Sequence, residues 1–217
     1  TDAQGYVNII TSGDYEGGYI IARQPNPFAS TCGQVCNAPC EAACRRGNID
    51  NPISIRALKR FVCERYGVEA KEPLAIVKAP SEKRGDELLV RHTPGNSNTV
   101  ESLATLLRAS VRKEPEQKKA RVAVIGSGPA GLTAAHDLAA QDYEVTIFEA
   151  APSPGGMLLL GIPEDRLSRS LIRFEIEEIL RQGVELKVNM RLGKDFTFAT
   201  LREEGYEAIF IAIGAYV

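Results

Sequence analysis

Several features that mark membrane-spanning, secreted and nucleic-acid-binding proteins are missing from this sequence. Long apolar runs are absent, and the longest, at residues 157–160, is far too short to span a bilayer. Charge of one sign is not in excess, because the formal net charge is −2; this balance argues against nucleic acid or an anionic membrane as the main partner. No charged-then-apolar leader opens the chain. We therefore expect no membrane insertion and no nucleic-acid partner.

A disulfide framework is also missing. The chain has five cysteines, and four of them recur at every fourth position, as Cys32, Cys36, Cys40 and Cys44. Half-cystines at that local spacing would close small strained loops, whereas thiolates at the same spacing can converge on one metal site. This pattern predicts a reducing, cytoplasmic setting. The fifth cysteine, Cys63, lies in a helical pattern and is interpreted as a buried thiol that acts as a small hydrophobe.

Histidine is scarce, with two in the chain and neither near the cysteines. Cys40 and Cys44 are one helical turn apart and share a face, while Cys32 and Cys36 precede them across a turn. A set of thiolates alone suits an iron–sulfur cluster or zinc. Successive cysteines are separated by three residues, and this spacing favours an iron–sulfur cluster, since zinc sites more often pair two CxxC motifs. An array without metal is a further alternative.

Helical spacing dominates the first part of the chain, residues 1–68, which we interpret as an α-helical domain. Its strongest helix follows Asn51-Pro52 and ends at Gly67. The apolar positions of that helix define an inner stripe of Ile55, Leu58, Phe61 and Val62, with Lys59 off the stripe. Residues 69–119 are punctuated by prolines and are interpreted as a linker with one helix that begins at Asn98.

From residue 120 onward, apolar runs typical of buried parallel strands alternate with helical patterns. The predicted strands are 122–125, 144–148, 184–188 and 208–213, and the predicted helices are 129–140 and a long helix that Gly183 closes. Residues 120–217 are therefore expected to form a Rossmann-like α/β domain with a βαβ unit and a parallel sheet, and the whole chain is α+β. The chain starts without methionine and stops after a strand pattern, so we expect a piece of a longer protein.

A glycine-rich turn joins the first of these strands to its helix. Its residues are Gly126, Ser127, Gly128, Pro129, Ala130 and Gly131. The first glycine permits a tight turn, the second admits a pyrophosphate, and the third lets helix and strand pack closely. Glu149 ends the next strand, eighteen residues after Gly131; it could accept the ribose hydroxyls and would disfavour a 2′-phosphate. The alternative is a glycine-rich turn with no ligand.

NAD and FAD share such a cradle, and the residues after Glu149 favour FAD. Gly155, Gly156 and Met157 form a second glycine turn that could lie against another part of a longer cofactor. Arg166 could contact phosphate or polar flavin groups. The simpler interpretations are a plain loop for the glycines and a surface salt bridge for the arginine.

These motifs together resemble a known family. The segments 26–28 (Asn-Pro-Phe), 32–44 with the four cysteines, and 52–61, followed by 126–214, are similar to the glutamate synthase small subunit and to the N-terminal part of dihydropyrimidine dehydrogenase. The NADH-dependent ferredoxin:NADP oxidoreductases and other FAD-dependent homologues are related to both. The resemblance covers most of the chain outside residues 72–118.

The resemblance implies an α-helical domain with two [4Fe–4S] clusters, then an FAD domain into which an NAD(P)H domain is inserted. In that family a further cysteine run precedes the point that corresponds to residue 1. Cys36, Cys40 and Cys44 match cluster ligands, whereas Lys59 stands where some relatives have a glutamine or glutamate ligand, so Cys32 could serve instead. The implied FAD contacts are Gly126 to Ala130, Glu149, Gly156, Met157, Arg166, Leu192 and Gly214.

The favoured hypothesis is an electron-transfer flavoprotein module, with no acid–base catalytic residues of its own. Electrons from NAD(P)H, bound outside these residues, would pass through FAD and iron–sulfur clusters to a partner redox subunit or domain. The enzyme would be an FAD- and iron–sulfur-containing NAD(P)H-dependent oxidoreductase. The alternative is a non-catalytic NAD-binding module with a structural zinc site.

Overall fold

A computed structural model of the chain describes residues 2–78, 87–91 and 119–215. The chain divides into two compact units, one of Thr1–Leu74 with Gly161–Glu175 and one of Ala75–Leu160 with Ile176–Val217. The sequence division assigned all of 120–217 to the Rossmann-like domain, whereas the structure groups residues 161–175 with the helical unit. In the part of the chain that the structure describes, no helix is long and apolar enough to cross a membrane.

The helical unit begins with two short helices, α1 (Ala3–Thr11) and α2 (Tyr15–Arg23). Each has an aspartate at its start whose carboxylate accepts an otherwise free backbone N–H of the first turn, at 2.8 Å. Next come α3 (Ala29–Val35), α4 (Pro39–Ala42) and a 3-10 turn (Arg45–Asn48). Helix α5 (Ile55–Tyr66) follows and is the longest of the helices described between residues 2 and 74.

The core of this unit lies where α1, α2, α3 and α5 meet. Its buried members are Tyr6, Val7, Ile10, Tyr19, Ala22, Ala29, Ile55, Val62, Cys63 and Leu74. The predicted stripe of α5 is correct at Ile55 and Val62 and wrong at Phe61, which is 42% exposed. Lys59 is buried instead, because its aliphatic stem can pack inward while its ammonium lies 5.5 Å from the centre of the Tyr6 ring.

Two strands, β1 (Leu74–Lys78) and β2 (Glu87–Arg91), pair in a separate sheet inside the segment that was interpreted as a linker. Both have the apolar and β-branched residues that favour strands. The helix predicted to begin at Asn98 lies outside the described residues.

The second unit contains a four-stranded parallel sheet. Its strands are β3 (Arg121–Ile125), β4 (Glu144–Phe148), β5 (Glu185–Lys187) and β6 (Ala208–Ile211), in the spatial order β5-β4-β3-β6. Helix α6 (Pro129–Ala140) connects the two central strands. The later helices of this unit are α7 (Met157–Leu160) and α9 (Phe198–Glu203). Helix α8 (Arg169–Arg181) is shared, because its residues up to Glu175 are grouped with the helical unit and the rest with this one. This order confirms the predicted Rossmann-like unit.

The two central strands are almost fully buried, as their unbroken apolar runs predict. An aromatic and aliphatic cluster packs on the sheet and consists of Ala123, Ile125, Phe148, Phe196, Leu201 and Tyr206. Strand β6 differs from the prediction of a buried strand. Phe210, Ile211 and Ile213 are 43–60% exposed, because β6 is an edge strand that pairs only with β3 among the described residues.

Candidate functional site: a dinucleotide cradle and a cysteine array

The glycine-rich turn lies between β3 and α6, at the carboxyl ends of the central strands. Gly126 has φ +102°, and a Cβ atom there would overlap the carbonyl oxygen of Ala212. The turn is tied to both neighbouring strands, since the Gly126 N–H donates to the Phe148 carbonyl and the Ala212 N–H donates to the Ile125 carbonyl, each at 2.8 Å. Packing with the adjacent strands therefore holds this turn in place.

The centre of the turn is open where a ligand would approach. A Cβ atom at Gly128 would have no other heavy atom within 4 Å, whereas one at Gly131 would overlap the Gly126 carbonyl oxygen. Gly128 caps α6 and Pro129 is its first residue. The first N–H groups of a helix have no intrahelical partner and attract anions. Open space in front of such amides suits a diphosphate.

The second glycine turn packs directly against the first. The Gly155 N–H donates to the Ser127 carbonyl at 2.9 Å. A Cβ atom at Gly156 would lie 2.9 Å from the Cα of Gly128. Both Gly155 and Gly156 have positive φ angles, of +122° and +50°. The structure therefore brings the two predicted glycine motifs together, and the close approach accounts for the absence of side chains.

Glu149 stands beside this turn, at the end of β4, with its carboxylate held in place by hydrogen bonds. Its Oε2 accepts the Ser127 N–H at 2.8 Å and the Ser127 hydroxyl at 2.5 Å. Its Oε1 accepts the Ala151 N–H at 2.7 Å. An ionised carboxylate has about four acceptor positions, and these three bonds leave room for one more donor. A ribose hydroxyl is a donor of the right kind.

The remaining predicted FAD contacts are less closely grouped. Met157 begins α7 and is 59% exposed, and Gly214 is exposed with φ +73°. Leu192 packs against the aromatic and aliphatic cluster on the sheet. Arg166 is exposed and belongs to the segment Gly161–Glu175 of the helical unit. Their contacts with a cofactor stay predictions.

The four cysteines lie on three short elements of the helical unit. Cys32 is in α3, Cys36 follows its last residue, Cys40 is in α4, and Cys44 precedes the 3-10 turn. All are free thiols; Cys40 is exposed and the other three are half-buried. Ala38, with φ +48°, turns the chain between Cys36 and Cys40. A left-handed non-glycine residue is strained, and such residues are frequent at functional sites.

Backbone N–H groups are directed at two of these sulfurs. The Ala38 N–H points at Cys36 Sγ at 3.4 Å. Hydrogen bonds from the backbone of Ile53, then Arg46, and then Gly47 lower the pKa of the Cys44 thiol. Hydrogen bonds to sulfur are among the means by which proteins tune iron–sulfur clusters. The chemistry of this donor set therefore fits a thiolate-bound cluster.

The cysteine segment is also packed tightly on α5. A Cβ atom at Gly33 would lie 3.0 Å from the Cα of Arg60, so Gly33 lets α3 approach the backbone of α5. Arg56 donates its Nη1 to the Cys36 carbonyl at 2.8 Å. The Arg56 N–H in turn donates to Glu41 at 2.7 Å. These contacts position both ends of the segment that carries Cys36 and Cys40.

The sulfurs themselves do not form a closed ligand set. Within residues 2–78, 87–91 and 119–215, no three histidine, cysteine, aspartate or glutamate side chains are arranged so that they could hold a metal ion. Neighbouring thiolates repel one another, and ligands of this kind are commonly brought together by the metal they bind. The convergence of Cys32, Cys36, Cys40 and Cys44 on one site stays a prediction.

Two family models match separate parts of the chain. A family model described as dihydropyrimidine dehydrogenase domain II, 4Fe-4S cluster, matches residues 1–70. A second, described as NAD(P)-binding Rossmann-like domain, matches residues 124–159. The beta subunit of NADP(+)-dependent formate dehydrogenase from Moorella thermoacetica is 39% identical over 99% of this chain and 28% of its own length.

Two further relatives are more distant. The PreT subunit of NAD-dependent dihydropyrimidine dehydrogenase from Salmonella typhimurium is 31% identical over 99% of this chain and 43% of its own length. Glutamate synthase [NADH] from Schizosaccharomyces pombe is 30% identical over 88% of this chain and 7% of its length. Residues 1–70 thus belong to the 4Fe-4S domain family found in dihydropyrimidine dehydrogenase, residues 124–159 form an NAD(P)-binding Rossmann-like domain, and the chain is similar to subunits of NAD(P)-dependent oxidoreductases. It spans less than half the length of these relatives.

These matches confirm the predicted resemblance and the predicted fold class, a helical iron–sulfur domain followed by a Rossmann-like domain. The sequence analysis missed two buried residues of the helical unit, Lys59 and Tyr6. Lys59 was placed outside the core, and Tyr6 was not singled out, yet both are buried. Burial, followed by the negative charges of Cys40, Cys63 and Cys36, raises the pKa of the Tyr6 hydroxyl. The position of Tyr6 in the apolar pattern of α1 was the sequence signal that could have predicted its burial.

Proposed function

We propose that this chain is the electron-relay portion of an NAD(P)H-dependent oxidoreductase, with a flavin dinucleotide in the Rossmann-like unit and iron–sulfur in the helical unit. The observation that carries this proposal is that one chain contains two sites. One is an open main-chain cradle beside a fixed acid, and the other is a group of cysteines whose sulfurs accept hydrogen bonds from N–H groups. Such cofactors, when bound, link two-electron nicotinamide chemistry to single-electron transfer.

In the Rossmann-like unit, the turn Gly126 to Ala130 and the first N–H groups of α6 would hold the diphosphate of FAD. Glu149 would accept a ribose hydroxyl, and its charge would exclude a 2′-phosphate. The contact between Gly156 and Gly128 supports a role for the second glycine turn beside the same phosphates. Further FAD contacts are proposed for Gly155, Met157, Arg166, Leu192 and Gly214.

In the helical unit, Cys36, Cys40 and Cys44 are the proposed ligands of a [4Fe–4S] cluster. Cys32 is the proposed fourth ligand, because the protonated ammonium of Lys59 has no free electron pair for a metal. The N–H groups directed at Cys36 and Cys44 support this assignment. At Cys44 these groups lower the pKa of the thiol and so favour the thiolate form that binds iron.

The donor and the acceptor of electrons are proposed to lie outside these residues. NAD(P)H would bind to another part of the protein, and the electrons would leave to a partner redox subunit or domain. Two of the relatives are named as subunits, which supports a partner of this kind. The proposed setting is cytoplasmic, because thiolate ligands need a reducing compartment.

The test is a cofactor analysis of the full protein, purified without air. We expect bound FAD, identified after heat release, together with iron and acid-labile sulfide, and visible absorbance that decreases when NADH or NADPH is added. A colourless preparation with zinc and no flavin would contradict the proposal. That result would instead identify a non-catalytic NAD-binding module with a structural zinc site.

A further inference from the structure

Glu175, on helix α8, is an ionisable side chain in the interior of the helical unit. Its exposed fraction is 1%. Burying a carboxylate is costly unless hydrogen bonds or opposite charges compensate. The neighbouring Phe174 is apolar, yet 44% exposed. The helix therefore turns its acid inward and its aromatic ring outward, which calls for a specific partner for the acid.

That partner is the first turn of the helix that carries Cys32. Glu175 Oε1 accepts the Ser30 N–H at 2.8 Å, and Oε2 accepts the Thr31 N–H at 3.2 Å. Both amides lie in the first turn of α3, where N–H groups have no intrahelical acceptor. The residue before the helix, Phe28, has no capping side chain. Glu175 thus caps α3 from a position 144 residues away in the sequence.

The surroundings of this contact fix Ser30 from a second side. The Ser30 hydroxyl forms a hydrogen bond with the buried thiol of Cys63, whose pKa burial raises to about 12. A Cβ atom at Gly67 would lie 2.9 Å from that hydroxyl. Burial raises the pKa of Glu175 to about 7, while hydrogen bonds from Thr31 and Ser30 and the charge of buried Arg23 act in the opposite direction.

We propose that Glu175 is a positioning residue for the iron–sulfur site: its carboxylate fixes the start of α3, the helix that carries Cys32 and leads to Cys36. This inference rests on the proposed function, in which those cysteines bind iron. The role is indirect, because Glu175 touches the backbone of Ser30 and Thr31 and no cysteine ligand. Loss of the carboxylate should loosen the first turn of α3 and weaken the hold on iron.

The first test uses the protein without iron, so that it does not depend on cluster assembly. In Glu175→Ala at pH 8, where the wild-type carboxyl with its pKa of about 7 is ionised, amide hydrogen exchange at Ser30 and Thr31 should become at least about 10-fold faster, since a hydrogen bond to a charged group contributes roughly 1.5–3 kcal/mol. The amide of Val62, in the centre of α5, should keep its wild-type rate. Glu177→Ala is the matched control, because Glu177 is exposed on the same helix and pairs with Arg181.

The second test uses the protein reconstituted with iron and sulfide in the absence of air. Glu175→Ala should lose iron to a chelator about 10-fold faster than wild type, and the electron paramagnetic resonance spectrum of the reduced cluster should change. Glu175→Gln should be intermediate, because its single carbonyl oxygen can accept only one of the two amides. Glu177→Ala should match wild type in both measurements.

Each result decides the proposal. Exchange at Ser30 and Thr31 in Glu175→Ala equal to that in Glu177→Ala would overturn it, as would a uniform acceleration that includes Val62. If Glu175→Ala does not fold, wild-type exchange at both amides in Glu175→Gln would overturn it. Wild-type protein that takes up no iron would refute the proposed function and the role at an iron site, while the exchange data would still report the cap.

Discussion

The dinucleotide cradle and the cysteine array differ in what holds them in shape. The cradle is made almost entirely of main chain: Gly126 is tied to two strands, Gly156 contacts Gly128, and Glu149 is fixed by backbone N–H groups. The array depends on four side chains from separate short elements, and its sulfurs do not form a closed set among the described residues. Folding alone shapes the first site and only prepares the second.

The difference follows from the chemistry of the two ligands. Phosphate is recognised by N–H groups that a strand–turn–helix unit already directs outward. Iron is held by thiolates that repel one another until the metal neutralises them, so metal binding and local folding are coupled. We therefore expect that a substitution in the cradle can lower nucleotide affinity without lowering stability. A substitution in the array should change both metal binding and the local structure.

The largest effect is expected from removal of a proposed cluster ligand. Cys36→Ser, Cys40→Ser and Cys44→Ser should each abolish nearly all iron binding, because a neutral serine hydroxyl is a poor iron ligand. The measurement is iron and acid-labile sulfide per chain after anaerobic reconstitution. Cys63→Ala is the matched control and should retain iron, since Cys63 is buried in the apolar core. Iron retention in all three serine variants would exclude these ligands.

The next largest effect should come from closing the cradle without disturbing the fold. A Cβ atom at Gly128 would have no heavy atom within 4 Å apart from its chain neighbours, so Gly128→Val should change thermal stability little. FAD affinity should fall roughly 100-fold, because the phosphate would lose charge-assisted bonds to the helix amides. Binding is measured by flavin fluorescence quenching.

Gly131→Ala provides the contrast in the same motif. Its new methyl group would overlap the Gly126 carbonyl, so it should lower the free energy of unfolding by about 1–3 kcal/mol. If Gly128→Val lost as much stability as Gly131→Ala, the cradle would not be the preformed, open site described above.

A smaller effect concerns pH and the buried acid of the helical unit. The pKa of Glu175 is raised from 4.5 to about 7, so the folded state binds this proton more tightly than the unfolded state. The resulting stabilisation is fully present below pH 4.5 and is lost as the pH rises through 7. Cys63, with a pKa raised to about 12, does not titrate in this window.

Denaturant unfolding of the iron-free protein measures the effect. The free energy of unfolding of wild type, minus that of Glu175→Gln, should fall by about 3 kcal/mol between pH 4.5 and 7.5. The glutamine variant has no proton to lose and serves as the reference at every pH. A difference that is constant with pH would mean that Glu175 is ionised throughout.

The cradle could be predicted from the sequence to within a residue or two, whereas the surroundings of the array could not. The glycine motif acts through local constraints: a strand, a tight turn and a helix that follow one another directly along the chain. The contact between Gly156 and Gly128 was not predicted, because the sequence analysis placed the second glycine turn against a cofactor and not against the first turn.

What escaped prediction depends on contacts between distant segments. Glu175 meets Ser30 across 145 residues, and helical periodicity could not distinguish Glu175 from Phe174 as the inward position. Lys59 was assigned to the surface because of its charge, although its long stem allows burial. The strands Leu74–Lys78 and Glu87–Arg91 were hidden by the surrounding prolines and charges. Periodicity identifies a face of a helix, not what covers it.

The smallest predicted effect tests whether Glu149, beside the cradle, recognises the ribose of the bound nucleotide. Glu149 uses both carboxylate oxygens to accept N–H groups, from Ser127 and Ala151. In Glu149→Gln one end becomes an amino group that faces a donor, so the turn loses one bond as well as its charge. Binding of adenosine diphosphate should weaken about 10-fold, and its preference over the 2′-phosphorylated form should shrink by a similar factor, because the repelling charge is gone.

Titration calorimetry with the two nucleotides measures both quantities. Glu144→Gln is the control, since Glu144 is exposed at the opposite end of the same strand and pairs with Arg121; it should bind both nucleotides as wild type does. An unchanged preference in Glu149→Gln would place ribose recognition elsewhere. The cradle would then resemble the cysteine array: folding would prepare its main-chain frame, but its selectivity between the two nucleotides would depend on groups outside that frame.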